Sequence, residues 1–143
     1  MGEETIKRVG PECLGFKARL LSRVITAAYD DALAEVGVKV GQFSILNAIA
    51  SREETRPAEL AKFLAMDEST LSRNVARMCA RGWLRLELAG SDRRSHQISV
   101  TVKGLALLRK SYPAWQRAQN RVAHQLGQDG VTALKSVVKK LRA

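Results

Sequence analysis

The apolar positions in the first third of the chain recur at helical spacing over one long segment. From Gly10 to Val36 they repeat at steps of four and three, as Leu14, Ala18, Leu21, Ile25, Ala28 and Ala32. Leu20, Val24 and Ala27 widen this stripe, so we expect the helix to be buried on more than one side, by the rest of the chain or by a second copy. The pattern predicts one helix that ends at Gly37.

Three shorter helical patterns follow. The first covers Gln42 to Ala50, and the polar run from Ser51 to Arg56 separates it from the second, which begins at Pro57. The link Ala65-Met66-Asp67 leads to a third helix, Glu68 to Arg81, with Asp67 as its N-cap and Gly82 as its stop. Two short helices joined by three or four residues predict a helix-turn-helix.

In the next segment the apolar residues recur at every second position. Between Trp83 and Leu88 the residues Leu84, Leu86 and Leu88 alternate with charged ones, which predicts a half-buried strand. The run His96 to Val100 repeats the pattern with Ile98 and Val100 inward, and the polar residues between the two runs include Gly90. The pair predicts a hairpin with a long tip, placed as a wing directly after the helix-turn-helix.

A heptad pattern fills the last third of the chain. After Thr101, the expected cap, the apolar positions alternate in steps of three and four, interrupted only by Gln119: Leu105, Leu108, Tyr112, Trp115, Val122 and Leu126. Pro113 is expected to kink or divide this helix, and a terminal helix from Asp129 to Leu141 is expected after Gly127. A single short domain does not need so much apolar surface at both ends, which predicts that the ends pack together between two chains.

The charge of the 143-residue chain points to an anionic partner. Its 24 Lys and Arg against 14 Asp and Glu give a net charge of +10, concentrated after residue 55, and residues 56–109 contain eight Arg but two Lys. Arginine is favoured for bidentate contacts with phosphates and bases, so nucleic acid is the expected partner.

Other classes of protein lack support in the sequence. No apolar stretch is long enough for a membrane span and the N-terminus is too acidic and polar for a secretion signal, so we expect a cytoplasmic protein. Cys13 and Cys79 do not form a metal-ligand pair, and the chain has no Gly-rich phosphate loop, nucleophile elbow or paired carboxylates. We expect neither an enzyme nor a bound metal or cofactor.

Several motifs, in order and at matching spacing, resemble the MarR family of winged helix-turn-helix regulators. They are Gln42 to Leu46, Glu59-Leu60-Ala61, Ser69 to Val75, Gly82-Trp83-Leu84, Asp92-Arg93-Arg94, the Thr-x-x-Gly of Val100 to Gly104, and Tyr112 to Gln119. The resemblance implies an obligate homodimer that binds pseudo-palindromic promoter DNA, usually as a repressor released by phenolic or lipophilic ligands or by oxidation. Val40-Gly41 stand where the family often has Ser or Thr, so we expect that helix to be weakly capped.

The DNA-binding residues are expected on the third helix and at the tip of the wing. Leu71, Val75 and Met78 should face the core, which leaves a polar face to contact base edges in the major groove: Ser69, Thr70, Arg73, Asn74 and Arg77. At the wing, the Asp92 carboxylate is placed to hold the Arg94 guanidinium, and the resemblance makes this pair the minor-groove contact; Arg93 is expected on a phosphate. The alternative at both places is a solvated polar surface, and Arg85 is either a strand-face charge or a phosphate contact.

A regulatory site is expected where the long end helices meet the winged module. Apolar residues there include Phe16, Leu20 and Phe43, which suggest a pocket for a small aromatic or lipophilic effector; packed core is the alternative. Oxidation of Cys13, placed within the first helix, is the competing trigger, while Cys79 is expected to be a packing residue.

The sequence thus predicts a mainly α (α+β) fold, a winged helix-turn-helix with long dimerisation helices at both ends. We assign residues 10–36 and 104–143 to dimerisation and residues 37–103 to DNA binding, within one compact domain. A non-specific architectural DNA-binding protein, with the same basic surface but no base recognition, is the alternative function.

Overall fold

The computed structural model describes residues 2–52, 55–88 and 96–142. Its elements, in chain order, are α1 (Glu3–Glu12), α2 (Leu14–Leu33), a 3₁₀ turn (Ala34–Val36), α3 (Val40–Ala50), α4 (Pro57–Phe63), α5 (Glu68–Ala80), β1 (Leu84–Leu88), β2 (His96–Val100) and α6 (Val102–Leu141). This order confirms the predicted mainly helical fold with one small antiparallel hairpin. No described helix combines the length and the apolar character that crossing a membrane requires.

The N-terminal region differs from the single helix predicted from Gly10 to Val36. Helix α1 already begins at Glu3, and the chain leaves helical geometry at Cys13, where φ is −70° and ψ is 112°. Gly10, Pro11 and Gly15 surround this point, and their low helix propensity explains the break. Cys13 therefore does not lie within a helix; its Sγ accepts a hydrogen bond from the Phe16 N–H at 3.4 Å and caps α2.

Helix α3 is the centre of the core. Five of its side chains are buried, and they pack with Leu33 of α2 and with buried residues of the winged module: Leu60, Leu71, Met78, Trp83, Leu84 and Ile98. The expected weak cap at its start is wrong, because the Val40 N–H donates to Asp30 Oδ1 at 2.7 Å. A carboxylate from α2 thus replaces the missing Ser or Thr.

The wing is an antiparallel pair in which Leu84 faces Val100 and Leu88 faces His96. Ile98 also donates its N–H to the Thr55 carbonyl oxygen at 2.9 Å, which adds a short third segment to the sheet. Leu84 and Ile98 are buried, but Leu86 and Leu88 are 45% and 59% exposed. The expected half-buried strand is therefore wrong beyond Leu84, because only the base of the hairpin reaches the core.

Helix α6 buries smaller residues than the heptad pattern indicates. The buried positions are Gly104, Ser111, Ala114, Ala118 and Val122, whereas Leu105 and Tyr112 of the predicted stripe are exposed. Helix α2 packs along α6, and the Tyr29 hydroxyl donates a hydrogen bond to Gln119 Oε1 between them. Small side chains at the buried positions allow a neighbouring helix backbone to approach α6 closely.

The expected division of α6 at Pro113 is wrong. Helical backbone continues through Pro113, and the only break in the helix as described lies at Gly127, where φ is 71° and ψ is 166°. Ser111 and Ala114, which flank Pro113, are both fully buried, and this packing outweighs the one backbone hydrogen bond that proline removes. The separate terminal helix expected after Gly127 is confirmed.

Candidate nucleic-acid interface

A tight turn sets the angle between α4 and α5. Ala65 adopts a left-handed conformation with φ of 51°, and the Met66 N–H donates to the Ala61 carbonyl oxygen at 2.9 Å. Pro57 is the first residue of α4, as predicted, and Asp67 has the extended backbone of an N-cap. No backbone N–H of the described α5 donates to the Asp67 side chain, so Asp67 is an N-cap by position only.

The two sides of α5 differ as the sequence predicted. Leu71, Val75 and Met78 are buried against the core, which fixes how the helix is presented. On the opposite side Ser69, Arg73 and Arg77 are exposed, while Thr70 and Asn74 are half-buried at its edge. Ser72, which the sequence analysis did not select, lies on the same exposed side, three positions after Ser69 and next to Arg73.

Two hydrogen bonds order the middle of this face. Arg73 Nη2 donates to Thr70 Oγ1 at 3.2 Å, and Asn74 Nδ2 donates to the Thr70 carbonyl oxygen at 3.0 Å. Three of the five residues selected on α5 thus contact one another. Arg81, at the end of the helix, is used internally: it donates to the Gly37 carbonyl oxygen at 3.3 Å and its Cζ lies 4.1 Å from the centre of the Trp83 ring.

The strands of the wing carry charge toward the tip. Arg85 Nε lies 3.6 Å from Glu87 Oε1 on an exposed side of β1, so Arg85 is a strand-face charge with a partner on its own strand. Asp92, Arg93 and Arg94 lie outside the described residues. Their roles at the tip of the wing stay predictions.

A cavity of about 420 Å³ opens between α3, the end of α4 and α6. Phe43 lines it, and the Phe43 and Trp115 rings stack with centroids 6.2 Å apart; Tyr112 lies 5.6 Å from Trp115. Phe16 and Leu20 are exposed on α2 and do not line this cavity. The sequence analysis missed Tyr112 and Trp115 as wall residues because their spacing fits a dimerisation stripe equally well.

The two cysteines have different surroundings. Cys79 packs against the core, and burial raises the pKa of its thiol, so it is a packing residue as predicted. Cys13 is half-buried at the junction of α1 and α2. The two residues form no disulfide with each other.

The helix-turn-helix, the antiparallel wing after it and the polar, arginine-bearing side of α5 define a winged helix-turn-helix DNA-binding protein. A family model described as MarR family matches residues 36–95. The multiple antibiotic resistance protein MarR of Escherichia coli is 25% identical over 113 residues, which is 78% of each chain. Residues 36–95 of the chain therefore match the MarR family, and the similarity to the E. coli regulator extends beyond this segment.

Solved structures show the same fold over nearly the whole chain. A mutant of E. coli MarR in complex with operator DNA superposes with a TM-score of 0.82 at 22% identity, and the match covers 93% of this chain and 96% of the other. The regulator PcaV of Streptomyces coelicolor, in complex with its natural ligand, gives a TM-score of 0.81 at 20% identity, with 92% and 93% covered.

Proposed function

We propose that the protein is a transcriptional regulator that binds a pseudo-palindromic operator as a homodimer in the cytoplasm. The observation that carries this proposal is the exposed side of α5, where arginine and small polar side chains are held outward by Leu71, Val75 and Met78. The DNA complex of the related E. coli protein supports it. The protein acts by binding, and no catalytic step is involved.

The assignment of residues to DNA follows from their positions. The α5 residues Ser69, Thr70, Arg73, Asn74 and Arg77 are placed toward the major groove. Asp92, Arg93 and Arg94 are assigned to the wing tip, with Arg94 in the minor groove and Arg93 on a phosphate. Residues 37–103 form the DNA-binding region in this proposal, and residues 10–36 with 104–143 form the dimerisation region.

Dimerisation is supported by apolar side chains that the single chain leaves exposed. On α2, Leu14 and Val24 are 82% and 60% exposed, and at the end of α6 Leu141 is 80% exposed. Large exposed apolar side chains are also grouped on one helix, as Leu14, Leu20, Leu21 and Val24 are on α2, and such grouping marks an interaction site. A two-fold pairing would separate the two recognition helices by about 34 Å, the distance between successive major grooves.

DNA binding is tested by titration of the protein with an operator selected from random duplexes and with a random duplex at the same salt concentration. A specific regulator should bind its operator about 10³-fold or more tightly. A ratio near one would instead indicate the non-specific architectural protein, which uses phosphate contacts alone.

Regulation as a repressor completes the proposal. A small aromatic or lipophilic effector in the cavity beside Trp115 would favour a spacing of the two α5 helices that does not fit the operator. Tenfold release requires about 1.4 kcal/mol of differential binding, and operator DNA must then weaken effector binding by the same factor. The ligand complex of PcaV supports an effector site in this fold.

The effector and the competing oxidation of Cys13 are separated by one screen. Aromatic acids and peroxide are added to the operator complexes of the wild type and of Cys13→Ser. Release by an aromatic compound in both proteins supports the cavity, and Trp115→Ala should then weaken that release. Release by peroxide that is lost in Cys13→Ser would assign regulation to the thiol instead.

A further inference from the structure

The exposed side of α5 carries an arginine whose head group is fixed by a neighbour on the same helix. Arg73 is exposed, and its Nη2 donates a hydrogen bond to the hydroxyl of half-buried Thr70 at 3.2 Å. Side chains in a helix lean toward its N-terminus. The bond therefore holds the Arg73 guanidinium over the first turn of α5, the part of a recognition helix that reaches base edges.

Thr70 also has a contact from the following turn. Asn74 is half-buried, and its Nδ2 donates to the Thr70 carbonyl oxygen at 3.0 Å. An asparagine that recognises adenine presents its amide oxygen and nitrogen together to the base. The Asn74 amide is instead turned along its own helix, so at this turn of the face the paired donors are those of Arg73.

The hydrogen-bond donors of the guanidinium group favour one base over the others. Arginine has five N–H donors, and the bond to Thr70 uses one of them. The paired donors that remain match the two acceptors of guanine in the major groove, O6 and N7, while the adenine edge presents a donor beside its acceptor. Arg81 is not available for this contact, since its guanidinium bonds to Gly37 and lies over Trp83.

We propose that Arg73 recognises a guanine in each half-site of the operator and that Thr70 is the positioning residue that aims it. This inference rests on the proposed DNA-binding function. An arginine that is already ordered loses less side-chain freedom on binding, so the Thr70 hydroxyl increases the preference for guanine. From the usual cost of ordering one long side chain, the gain is about two- to tenfold per half-site.

The test compares the wild type with Thr70→Val, Thr70→Ser and Arg73→Lys. An operator is selected from random duplexes with the wild type, and every G·C pair is then replaced singly by A·T. Valine keeps the shape of threonine without the hydroxyl, serine keeps the hydroxyl, and lysine keeps the positive charge without the paired donors.

Replacement of one particular G·C pair in each half-site should weaken wild-type binding by about 5- to 150-fold. In Arg73→Lys this pair should lose most of its effect. In Thr70→Val the discrimination should fall about two- to tenfold with an unchanged salt dependence, because no phosphate contact is lost. Thr70→Ser should restore it. Thermal unfolding checks that each variant folds, and Thr70→Ala replaces the valine variant if that protein is unstable.

If the Arg73→Lys protein discriminates at every G·C pair as the wild type does, the role given to Arg73 is overturned. Thr70→Val with wild-type discrimination, or with equal losses on all sequences, would overturn the role of Thr70. A wild type that selects no sequence at all is a different result, because it overturns the proposed function itself.

Discussion

Gly104 lies where the first turn of α6 crosses the end of the wing. A Cβ at this position would overlap the Trp83 carbonyl oxygen and lie 2.7 Å from Val100 Cγ1, closer than atoms pack. Thr101 caps the same turn, with its hydroxyl accepting from the Gly104 N–H at 3.0 Å. The Thr-x-x-Gly motif of the sequence is therefore a joint between the wing and α6.

Gly104→Ala should lower the free energy of unfolding by about 1–3 kcal/mol, the usual cost of overpacking a rigid contact. Chemical denaturation measures it. Gly41→Ala is the matched control, because a Cβ there meets no atom within 4 Å and alanine favours the helix. Equal stabilities of the two variants would show that the joint adapts to the extra carbon.

Because of Tyr29, the free energy of unfolding should fall as the pH rises above the ordinary pKa of tyrosine. Burial raises the pKa of Tyr29 above 10.0, so the unfolded chain loses the phenolic proton first as the pH rises. The stabilisation is complete below pH 10.0 and is lost as the pH rises toward the folded-state pKa. Tyr29→Phe should remove this part of the alkaline loss.

The measurement compares the free energy of unfolding of the wild type and Tyr29→Phe at pH 8 and pH 11. At pH 8 the variant should be less stable by about 0.5–1.5 kcal/mol, because the bond to Gln119 is absent. At pH 11 the difference should be smaller. A difference that is the same at both pH values would contradict the role given to the phenol.

At the scale of elements, the end of α6 contacts helix α4 of the helix-turn-helix. Arg142 donates a hydrogen bond to the Phe63 carbonyl oxygen, and its Cζ lies 4.6 Å from the centre of the Phe63 ring. Arg52 lies 3.9 Å from the centre of the same ring. Phe63 also lines the cavity beside Trp115, so the end of α6 contacts a wall of the proposed effector site.

Arg142→Ala should destabilise the helix after Gly127 by about 1 kcal/mol, from the loss of the cation–π contact and the hydrogen bond. Hydrogen exchange of the amides in residues 128–141 should become faster, while exchange in α3 stays unchanged. Lys140→Ala is the control, since no contact of Lys140 with α4 is found in the described chain. Equal exchange rates in the two variants would show that the Arg142 contacts do not stabilise this helix.

At the scale of the whole molecule, both ends of the chain leave apolar side chains uncovered. The winged module between them has its own core, with Leu46, Leu60 and Met78 fully buried. The ends therefore need a second chain, while the module between them does not. Specific DNA binding should depend on both, because a single recognition helix contacts half of a pseudo-palindromic site.

Deletion of residues 128–143 should give a monomer that loses specific operator binding. Val24→Asp is a milder test: Val24 is 60% exposed in the single chain, so a charge there should disrupt dimerisation without disrupting the fold. Sedimentation measures the oligomeric state and footprinting measures operator binding. A truncated protein that remains a dimer and protects both half-sites would show that the terminal helix is not needed.

The sequence by itself determined the order of the elements after Gly37 and the orientation of α5. Apolar spacing and local cap signals placed the helix-turn-helix, the hairpin after it and the ends at Gly37 and Gly82, because these depend on neighbouring residues. The same spacing predicted that Leu71, Val75 and Met78 face the core. The polar side of α5, with Arg73 and Arg77, followed from that orientation alone.

Only the tertiary structure decided the features that depend on residues distant in the chain. Asp30 caps α3 from another helix, helical backbone continues through Pro113 between the buried Ser111 and Ala114, and Leu86 and Leu88 are exposed because the hairpin extends past the core. The cavity likewise brings Phe43 from α3 together with Phe63 and Trp115. Periodicity records which side of an element is apolar, but the partner that covers that side is set by packing between elements.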